Sequence, residues 1–305
     1  MDLKVTIGKT TFENPVWAAS GTFGNGDEFQ DFLNIGEMGA VVTKTVTLRK
    51  KKGNPPPRLV ETPSGLLNSI GLENKGIRCF KKEDLPWLKR SGTRAIVSIA
   101  GETKEEFVKC AEELTGRHRP DAIELNISCP NVSHRGGKHC LFSQDPVITE
   151  RIVSAVRRST GTTLIVKLSP NVTDIGIIAE AAQNGGADAV SLVNTYFGMA
   201  VDAEEMRPCL GNVTGGLSGP AIRPMALKAV RDAYNSVSIP VIGVGGIMTG
   251  TDVAGFMLCG ASAVQAGTVN LVEPAAYKRI LREFIAYLKR KKINRAGDLV
   301  GKLRI

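Results

Sequence analysis

The segment with the most distinctive chemistry is Asn126-Ile-Ser-Cys-Pro-Asn131, which follows the apolar stretch Ala122-Ile-Glu-Leu125. Each Asn carries a hydrogen-bond donor and an acceptor, so a pair of them can bind a flat cyclic amide from both edges. An unperturbed thiol has a pKa of about 8.5, so Cys129 can take up and return a proton near neutral pH. A lone Cys in a tight turn is more often a packing residue. With Asn on both sides, the segment indicates an active site.

Composition restricts the class of protein. The chain has 305 residues, of which 42% are hydrophobic and 33 are Gly, as is typical of a globular α/β protein. Six scattered Cys without a C-x-x-C pair favour a reducing cytoplasm over a disulfide framework, a zinc site or an iron–sulfur cluster. We expect no metal, no membrane span and no signal peptide.

The net charge of +9 raises the question of nucleic-acid binding. Much of the excess lies in two runs, 49–52 and 289–292, which contain no aromatic residues. We interpret the runs as solvated loop and helix surfaces, and expect no nucleic-acid partner. An anionic ligand or an acidic partner would still benefit from the positive field.

Short apolar runs alternate with amphipathic stretches, a pattern that predicts βα units and a parallel sheet. Eight strands are predicted, at 16–19, 40–44, 95–99, 122–126, 164–168, 189–193, 240–244 and 263–266. Helices are predicted at 103–115, 145–159, 174–184, 221–235, 251–259 and 273–290, with Asp145-Pro146 and Glu273-Pro274 as caps. Eight such units favour a (β/α)8 TIM barrel, with residues 1–305 forming a single domain.

Two long excursions leave the predicted barrel, one at 46–76 and the other at 196–218. Loops of this length in compact domains are usually functional, so we expect them to lie over the C-terminal mouth of the barrel.

Polar or Gly residues stand at the end of every predicted strand, where barrel enzymes gather their active sites. These strand ends are Ser20-Gly21, Lys44-Thr45, Ser98, Asn126, Lys167, Asn194-Thr195, Gly245-Gly246 and Gly267-Thr268. Lysines at a barrel mouth need an anionic partner. The last two ends are suited to a phosphate, held by bare backbone N–H groups and helix N-termini. The sequence therefore predicts a phosphorylated cofactor and a small polar substrate, with a thiol between them.

Between residues 16 and 272, the chain resembles the cytosolic class of dihydroorotate dehydrogenases. The matching segments are 14–24, 43–46, Gly53-Asn-Pro-Pro-Pro-Arg58, 67–72, 126–131, 166–170, Gly216-Leu-Ser-Gly-Pro-Ala221 and 244–247. The resemblance implies an FMN-containing barrel that oxidises (S)-dihydroorotate to orotate in pyrimidine biosynthesis.

Carried over by position, the resemblance implies that Cys129 removes the C5 proton while the C6 hydride passes to flavin N5. The substrate residues that it implies are Lys44, Asn68, Ser69, Ile70, Gly71, Leu72, Asn126, Asn131, Asn194 and Thr195. The FMN-binding residues that it implies are Ser20, Lys44, Thr45, Ser98, Asn126, Lys167, Val193, Gly219, Gly245, Gly246, Gly267 and Thr268. Lys167 is suited to stabilising negative charge at flavin N1. Many relatives carry Asn where this chain has Ser98, which weakens that one assignment.

Within the family, this chain has neither the N-terminal helical extension nor the Ser base of the membrane-associated members. Two of its segments, 55–57 and 216–221, resemble the NAD-dependent branch, class 1B. In that branch a second subunit carries FAD and a 2Fe-2S cluster, and a homodimer of the FMN subunit forms the core of a heterotetramer. The alternatives are the fumarate-using class 1A homodimer and, more remotely, a tRNA dihydrouridine synthase. The latter has a helical RNA-binding domain, for which about 30 residues after the last strand leave little room.

Overall fold

The computed structural model of the chain describes residues 1–116, 119–128 and 142–304. Eight parallel strands, each hydrogen-bonded to the next, form a closed barrel: β4 pairs with β8, which completes the ring. The strands in chain order are β1 Val5–Ile7, β2 Thr10–Phe12, β3 Val16–Ala18, β4 Ala40–Val42, β5 Val46–Thr47, β6 Leu59–Thr62, β7 Gly65–Asn68, β8 Ala95–Ala100, β9 Ala122–Asn126, β10 Thr163–Lys167, β11 Ala189–Leu192, β12 Tyr196–Met199, β13 Val201–Asp202, β14 Arg207–Pro208, β15 Thr214–Ser218, β16 Val241–Val244 and β17 Ala261–Ala266. The barrel consists of β3, β4, β8, β9, β10, β11, β16 and β17, so the predicted (β/α)8 barrel and its eight strands are confirmed.

Helices cover the outside of the barrel between successive strands. They are α1 Ile77–Arg90, α2 Lys104–Glu113, α3 Pro146–Ser159, α4 Ile175–Asn184, α5 Arg223–Ser236, α6 Gly250–Leu258, α7 Val269–Val272 and α8 Ala276–Arg290. The six predicted helices are confirmed as α2 to α6 and α8. Helix α1 was not predicted, because Pro86 stands in its interior and normally disfavours a helix. None of these described helices combines the length and the apolar character that crossing a membrane requires.

Side chains at the helix starts explain where several helices begin. Asp145 caps α3 as predicted, since its carboxylate accepts a hydrogen bond from the backbone N–H of Ile148. The predicted Glu273-Pro274 cap of α8 is wrong, because the helix begins at Ala276. Glu273 instead forms an ion pair with Arg279, which lowers the pKa of the Glu273 carboxyl.

The amino-terminal end of the barrel is closed by the hairpin of β1 and β2. Its apolar side chains pack against the first inward-facing residue of each barrel strand and form one buried cluster. The cluster contains Val5, Ile7, Phe12, Trp17, Ala40, Val42, Ile96, Ala122, Ile165, Ala189, Ile242 and Ala263. The outward-facing residues of the same strands, such as Ile123 and Leu125, join a second cluster with the helices. The barrel is therefore packed solid at this end and on its outside.

The two long excursions meet in the folded chain. Strands β6 and β7 come from the first excursion, and β12 and β15 from the second. They form one four-stranded antiparallel sheet in which β15 pairs with β7. Both excursions leave the carboxyl ends of barrel strands, so this sheet stands on the mouth side, as predicted. The pairing between them was not visible in the sequence, because about 150 residues separate the two partners.

Candidate functional site at the barrel mouth

Neighbouring strands place the predicted polar residues side by side. In the ladder of β9 and β10, Asn126 lies directly opposite Lys167, and on the next strand Lys167 lies opposite Ser191. On the other side of β9, Ser98 lies opposite Glu124. Because the strands are parallel, all of their carboxyl ends reach the same rim. The interior of the barrel therefore changes from apolar at the closed end to polar at the mouth.

A group of hydroxyls surrounds Asn126 on one side of the mouth. The Thr45 hydroxyl lies 2.9 Å from that of Ser98 and 3.3 Å from that of Ser20, and accepts a hydrogen bond of 3.1 Å from the Asn126 amide. Ser20 in turn donates to the carbonyl of Thr43. These bonds bring together four of the residues predicted to bind the cofactor, and they hold the Asn126 carboxamide in one orientation.

A second chain of hydrogen bonds leads from Asn126 to Asn194. The Ser128 hydroxyl donates to Asn126 Oδ1 at 2.9 Å and accepts from Asn194 Nδ2 at 2.6 Å. Asn194 Oδ1 accepts from the backbone N–H of Thr195. Ser128 was not singled out in the sequence, although it lies between two residues that were. It joins two of the predicted substrate-binding carboxamides into one rigid pair.

Lys167 lies deeper in the barrel and is only 5% exposed. Its ammonium donates to Gln265 Oε1 at 3.3 Å and lies 4.0 Å from Glu124 Oε1. Neither Glu124 nor Gln265 was predicted. A signal was present, since each is a polar residue at an inward position of an otherwise apolar strand.

Lys44, by contrast, has no such partner. Its side chain is half-buried, and its backbone N–H donates to the carbonyl of Gly24. Within the described ranges, no hydrogen bond or ion pair is formed by its ammonium. Lys44 follows the end of β4 by two residues and directly precedes Thr45, whose hydroxyl lies at the mouth beside Ser98 and Asn126. A cation in this position can pair with an anionic group that enters the mouth.

The four-stranded antiparallel sheet brings a third carboxamide to the mouth. Asn68, at the end of β7, donates from Nδ2 to the carbonyl of Gly216 at 3.2 Å. A β-carbon on Gly216 would collide with the hydroxyl of Thr195, so these two residues are in direct contact. Beside Thr195, burial raises the pKa of the Tyr196 phenol and keeps it protonated. The structure thus connects Asn68 to Thr195 and Asn194.

The segment after Asn68 is held by side chains of the same excursion. The buried Ser69 hydroxyl lies 3.0 Å from Asn54 Nδ2, and the carbonyl of Ile70 accepts from the backbone N–H of Asn54. Gly71 and Leu72 follow with φ angles of 73° and 55°. A left-handed Leu is uncommon, and a surrounding structure must maintain it. The predicted substrate residues 68–72 therefore form one segment of defined conformation, which begins at the last residue of β7.

Three glycine-containing turns meet on the opposite side of the rim. A β-carbon on Gly246 would lie 2.9 Å from the carbonyl oxygen of Gly219 and 2.6 Å from the Arg223 β-carbon, and both glycines have positive φ angles, of 73° and 94°. The Thr268 hydroxyl donates to Ser218 Oγ at 2.8 Å and so connects the third turn. Only glycine permits the turns to approach one another this closely.

The backbone N–H groups of these turns form a compact set of donors. In the part of the chain that the structure describes, four of them donate to no acceptor: those of Gly245, Gly246, Gly267 and Thr268. The four are half-buried, and their strands are neighbours in the barrel. Val193, on the next strand, is 2% exposed and donates its own N–H to Val244. Unpaired N–H groups that converge in this way can bind an anion.

The helix starts contribute less to this donor set than the sequence suggested. Helix α6 begins at Gly250, and a capping box of Thr249 and Asp252 occupies its first turn. Helix α7 has only four residues. Thr268 is the N-cap of α7, so one of the four free donors lies at a helix start, and the other three belong to the glycine turns.

Two predicted site residues, Cys129 and Asn131, lie outside the described residues. The chain enters that segment from Ser128, which is fixed between two carboxamides.

Comparison with known proteins agrees with this geometry. A family model described as dihydroorotate dehydrogenase matches residues 2–288. A protein of Geotalea daltonii is 49% identical over 304 residues, which is 100% of this chain and 99% of the relative. Proteins of Geobacter sulfurreducens and Bacteroides fragilis are 49% and 48% identical over the same shares of both chains. All three bear the name dihydroorotate dehydrogenase B (NAD(+)), catalytic subunit. The chain belongs to the dihydroorotate dehydrogenase family.

Proposed function

We propose that the chain is the FMN-binding catalytic subunit of an NAD-linked dihydroorotate dehydrogenase, which oxidises (S)-dihydroorotate to orotate in pyrimidine biosynthesis. The observation that carries the proposal is the hydrogen-bonded chain from Thr45 through Asn126 and Ser128 to Asn194, directly beside the buried Lys167. It offers carboxamides for a cyclic amide and a cation for a redox cofactor at one barrel mouth. Residues 1–305 act as one FMN-binding domain, and the scattered cysteines are consistent with a reducing cytoplasm.

The donor set fits FMN at three points. The glycine turns offer the free N–H groups that a phosphate requires. The hydroxyls of Ser20, Thr45 and Ser98 offer polar contacts on one side of the mouth. The ammonium of Lys167 offers a positive charge where reduction places negative charge on the flavin. When bound, FMN supplies the acceptor for the hydride.

The remaining polar groups suit the substrate. Dihydroorotate combines a cyclic imide with a carboxylate, and the carboxamides of Asn68, Asn126 and Asn194 can pair with the ring edges. Lys44, which has no anionic partner among the described residues, can bind the carboxylate. The proposed set of substrate contacts is completed by Asn131, Thr195 and residues 69–72.

Cys129 is proposed as the base. As a thiolate, it takes the proton from C5 while the hydride leaves C6, so the C5–C6 double bond of orotate forms and both electrons leave the ring. Asn126 and Asn194, joined through Ser128, hold the ring so that C5 faces the base.

The electrons must then reach NAD. The chain contains no G-x-G-x-x-G that follows a strand and opens a helix, the usual dinucleotide-binding signature. The relatives are named as catalytic subunits, which implies another subunit. We propose that this partner carries FAD and a 2Fe-2S cluster, and that two copies of each subunit form a heterotetramer around a homodimer of this chain.

Anaerobic mixing with dihydroorotate tests the proposal. We expect the isolated chain to purify with FMN and to lose its visible flavin absorbance on reduction by dihydroorotate. It should form almost no NADH until the partner subunit is added. Robust NADH formation by this chain alone would contradict the partner assignment. Efficient turnover with fumarate would place the chain in the class 1A branch. Formation of dihydrouridine in tRNA, without oxidation of dihydroorotate, would identify a different enzyme.

A further inference from the structure

Beneath the proposed flavin site, four polar side chains meet inside the barrel. Glu124, Ser191 and Gln265 are fully buried, and Lys167 is nearly so. They come from four different strands, β9, β10, β11 and β17, so no local turn or cap explains them. A buried charge is costly unless it is paired and hydrogen-bonded. The cluster therefore needs an explanation beyond packing.

Each hydrogen bond of the cluster leads, directly or through Gln265, to the carboxylate of Glu124. Glu124 Oε2 accepts hydrogen bonds from the Ser191 hydroxyl at 2.9 Å and from Gln265 Nε2 at 2.8 Å. Gln265 Oε1 accepts from Lys167 Nζ at 3.3 Å. The other carboxylate oxygen, Glu124 Oε1, is buried, forms no hydrogen bond with the described residues and lies 4.0 Å from the ammonium.

The donor and acceptor types determine how Gln265 is turned. An ionised carboxylate only accepts hydrogen bonds, so the amide NH₂ of Gln265 must face Glu124. The carbonyl oxygen of Gln265 then faces Lys167, which only donates. With the amide reversed, an NH₂ group would face an ammonium and a carbonyl would face a carboxylate. Glu124 thus fixes an acceptor at Lys167 through Gln265, and adds its own negative charge at 4.0 Å.

Stability alone does not account for the arrangement. Buried ion pairs are often replaced by apolar residues without loss of stability, because desolvation offsets their attraction. The next inward layer of the same barrel is built of such apolar residues, among them Ala122, Ile165 and Ala189. The charged layer differs from it by lying directly below the mouth.

We propose that Glu124 is a positioning residue that, through Gln265 and its own charge, holds the Lys167 ammonium in one place, directed towards the bound flavin. The inference rests on the proposed function, since it requires FMN at the mouth. Without Glu124, the buried ammonium loses the one charged partner that the described residues provide, and its acceptor is free to turn. The positive charge that stabilises reduced FMN is then no longer held in one place.

The midpoint potential of bound FMN, measured by anaerobic dye equilibration, tests the inference. For Glu124→Gln we expect the displacement of the Lys167 ammonium to outweigh the loss of one negative charge, so that reduced FMN is destabilised about tenfold relative to oxidised FMN and the two-electron potential falls by about 30 mV. Lys167→Met should lower the potential further. In the Lys167→Met background, Glu124→Gln should no longer lower the potential, because the residue through which it acts is gone and the removal of a negative charge can then only raise it. Ser191→Ala is the matched control: it removes a hydrogen bond from the same carboxylate oxygen without touching Lys167, and should shift the potential less.

An unchanged or raised potential in Glu124→Gln would overturn the inference, as would an equal shift with and without Lys167. If Glu124→Gln does not fold, Gln265→Leu replaces it. This variant leaves both charges in place and removes the connecting amide, so it should also lower the potential, and an unchanged value counts against the inference. A wild-type chain that fails to bind FMN would refute the proposed function itself, and the inference with it.

Discussion

The two ends of the barrel are made from the same strands, yet they have opposite characters. At the closed end, the inward side chains are apolar and lie under the β1–β2 hairpin. Further towards the mouth on the same strands, Ala122 is followed by Glu124 after two residues and by Asn126 after four, and Ile165 is followed by Lys167 after two. The closed end buries apolar surface, which stabilises the fold, while the mouth holds polar groups that need partners. The comparison indicates that stability and chemistry occupy separate layers of one barrel.

The largest effect on chemistry is expected from Cys129→Ala, which removes the proposed base. Loss of a general base typically lowers the rate about 10²–10⁴-fold, so this variant should bind FMN and yet be reduced very slowly by dihydroorotate. Rapid anaerobic mixing, followed by flavin absorbance, measures the rate. Cys129→Ser should keep a little activity that rises with pH, because a hydroxyl is harder to deprotonate. Cys79→Ser, a thiol on the outer helix α1, is the control. Full reduction rates in Cys129→Ala at neutral pH would disprove the assignment.

A substitution at the closed end should lower the stability of the fold and leave the chemistry unchanged. Phe12 is fully buried, and its ring centroid lies 4.4 Å from that of Trp17. Phe12→Ala should lower the free energy of unfolding by about 3–5 kcal/mol, the usual cost of deleting a buried aromatic ring. Urea denaturation measures the loss. The rate of FMN reduction per folded molecule should remain that of the wild type, and a large fall in that rate would show that the two ends are coupled.

Lys44→Ala tests whether a mouth residue can be removed without loss of stability. Its ammonium pairs with no described residue, so the fold should lose little. Orotate should lose a charged hydrogen bond, typically about 1.5–3 kcal/mol, or roughly 10–100-fold in Kd. Titration of orotate against the flavin absorbance gives the Kd. Lys50→Ala, at an exposed lysine of the basic run, serves as the control. Equal affinities in the two variants would remove Lys44 from the substrate site.

Ser128→Ala should have the smallest effect. The hydroxyl connects Asn126 to Asn194, and its loss should cost about 1 kcal/mol of substrate binding, or about fivefold in KM. The kcat should change less than KM, because the serine positions the ring without taking part in proton transfer. Ser159→Ala, at the carboxyl-terminal end of α3, removes a comparable hydroxyl and serves as the control. Steady-state kinetics with the partner subunit would exclude the bridging role if KM does not change.

Much of this arrangement was predictable because barrels impose strict rules. Apolar alternation indicated all eight strands, and the polar strand ends indicated the mouth. Residues whose role depends on distant partners were missed. Gln265 and Glu124 are hydrogen-bonded across 141 positions, and neither has a motif around it. Ser128 was missed for a different reason: it lies inside the motif, but only Asn126 and Cys129 on either side of it were given a role.

By itself, the amino-acid sequence determined the fold class, the family and the list of polar residues at the strand ends, because periodicity and local motifs are carried by neighbouring residues. Only the tertiary structure decided how Gln265 is oriented between Glu124 and Lys167, and which residues pair in the sheet built from both excursions. It also decided that, among the described residues, three of the four free N–H groups at the rim lie in glycine turns and the fourth, that of Thr268, at the start of α7. These features depend on donors and acceptors that lie far apart along the chain and meet only when the barrel closes.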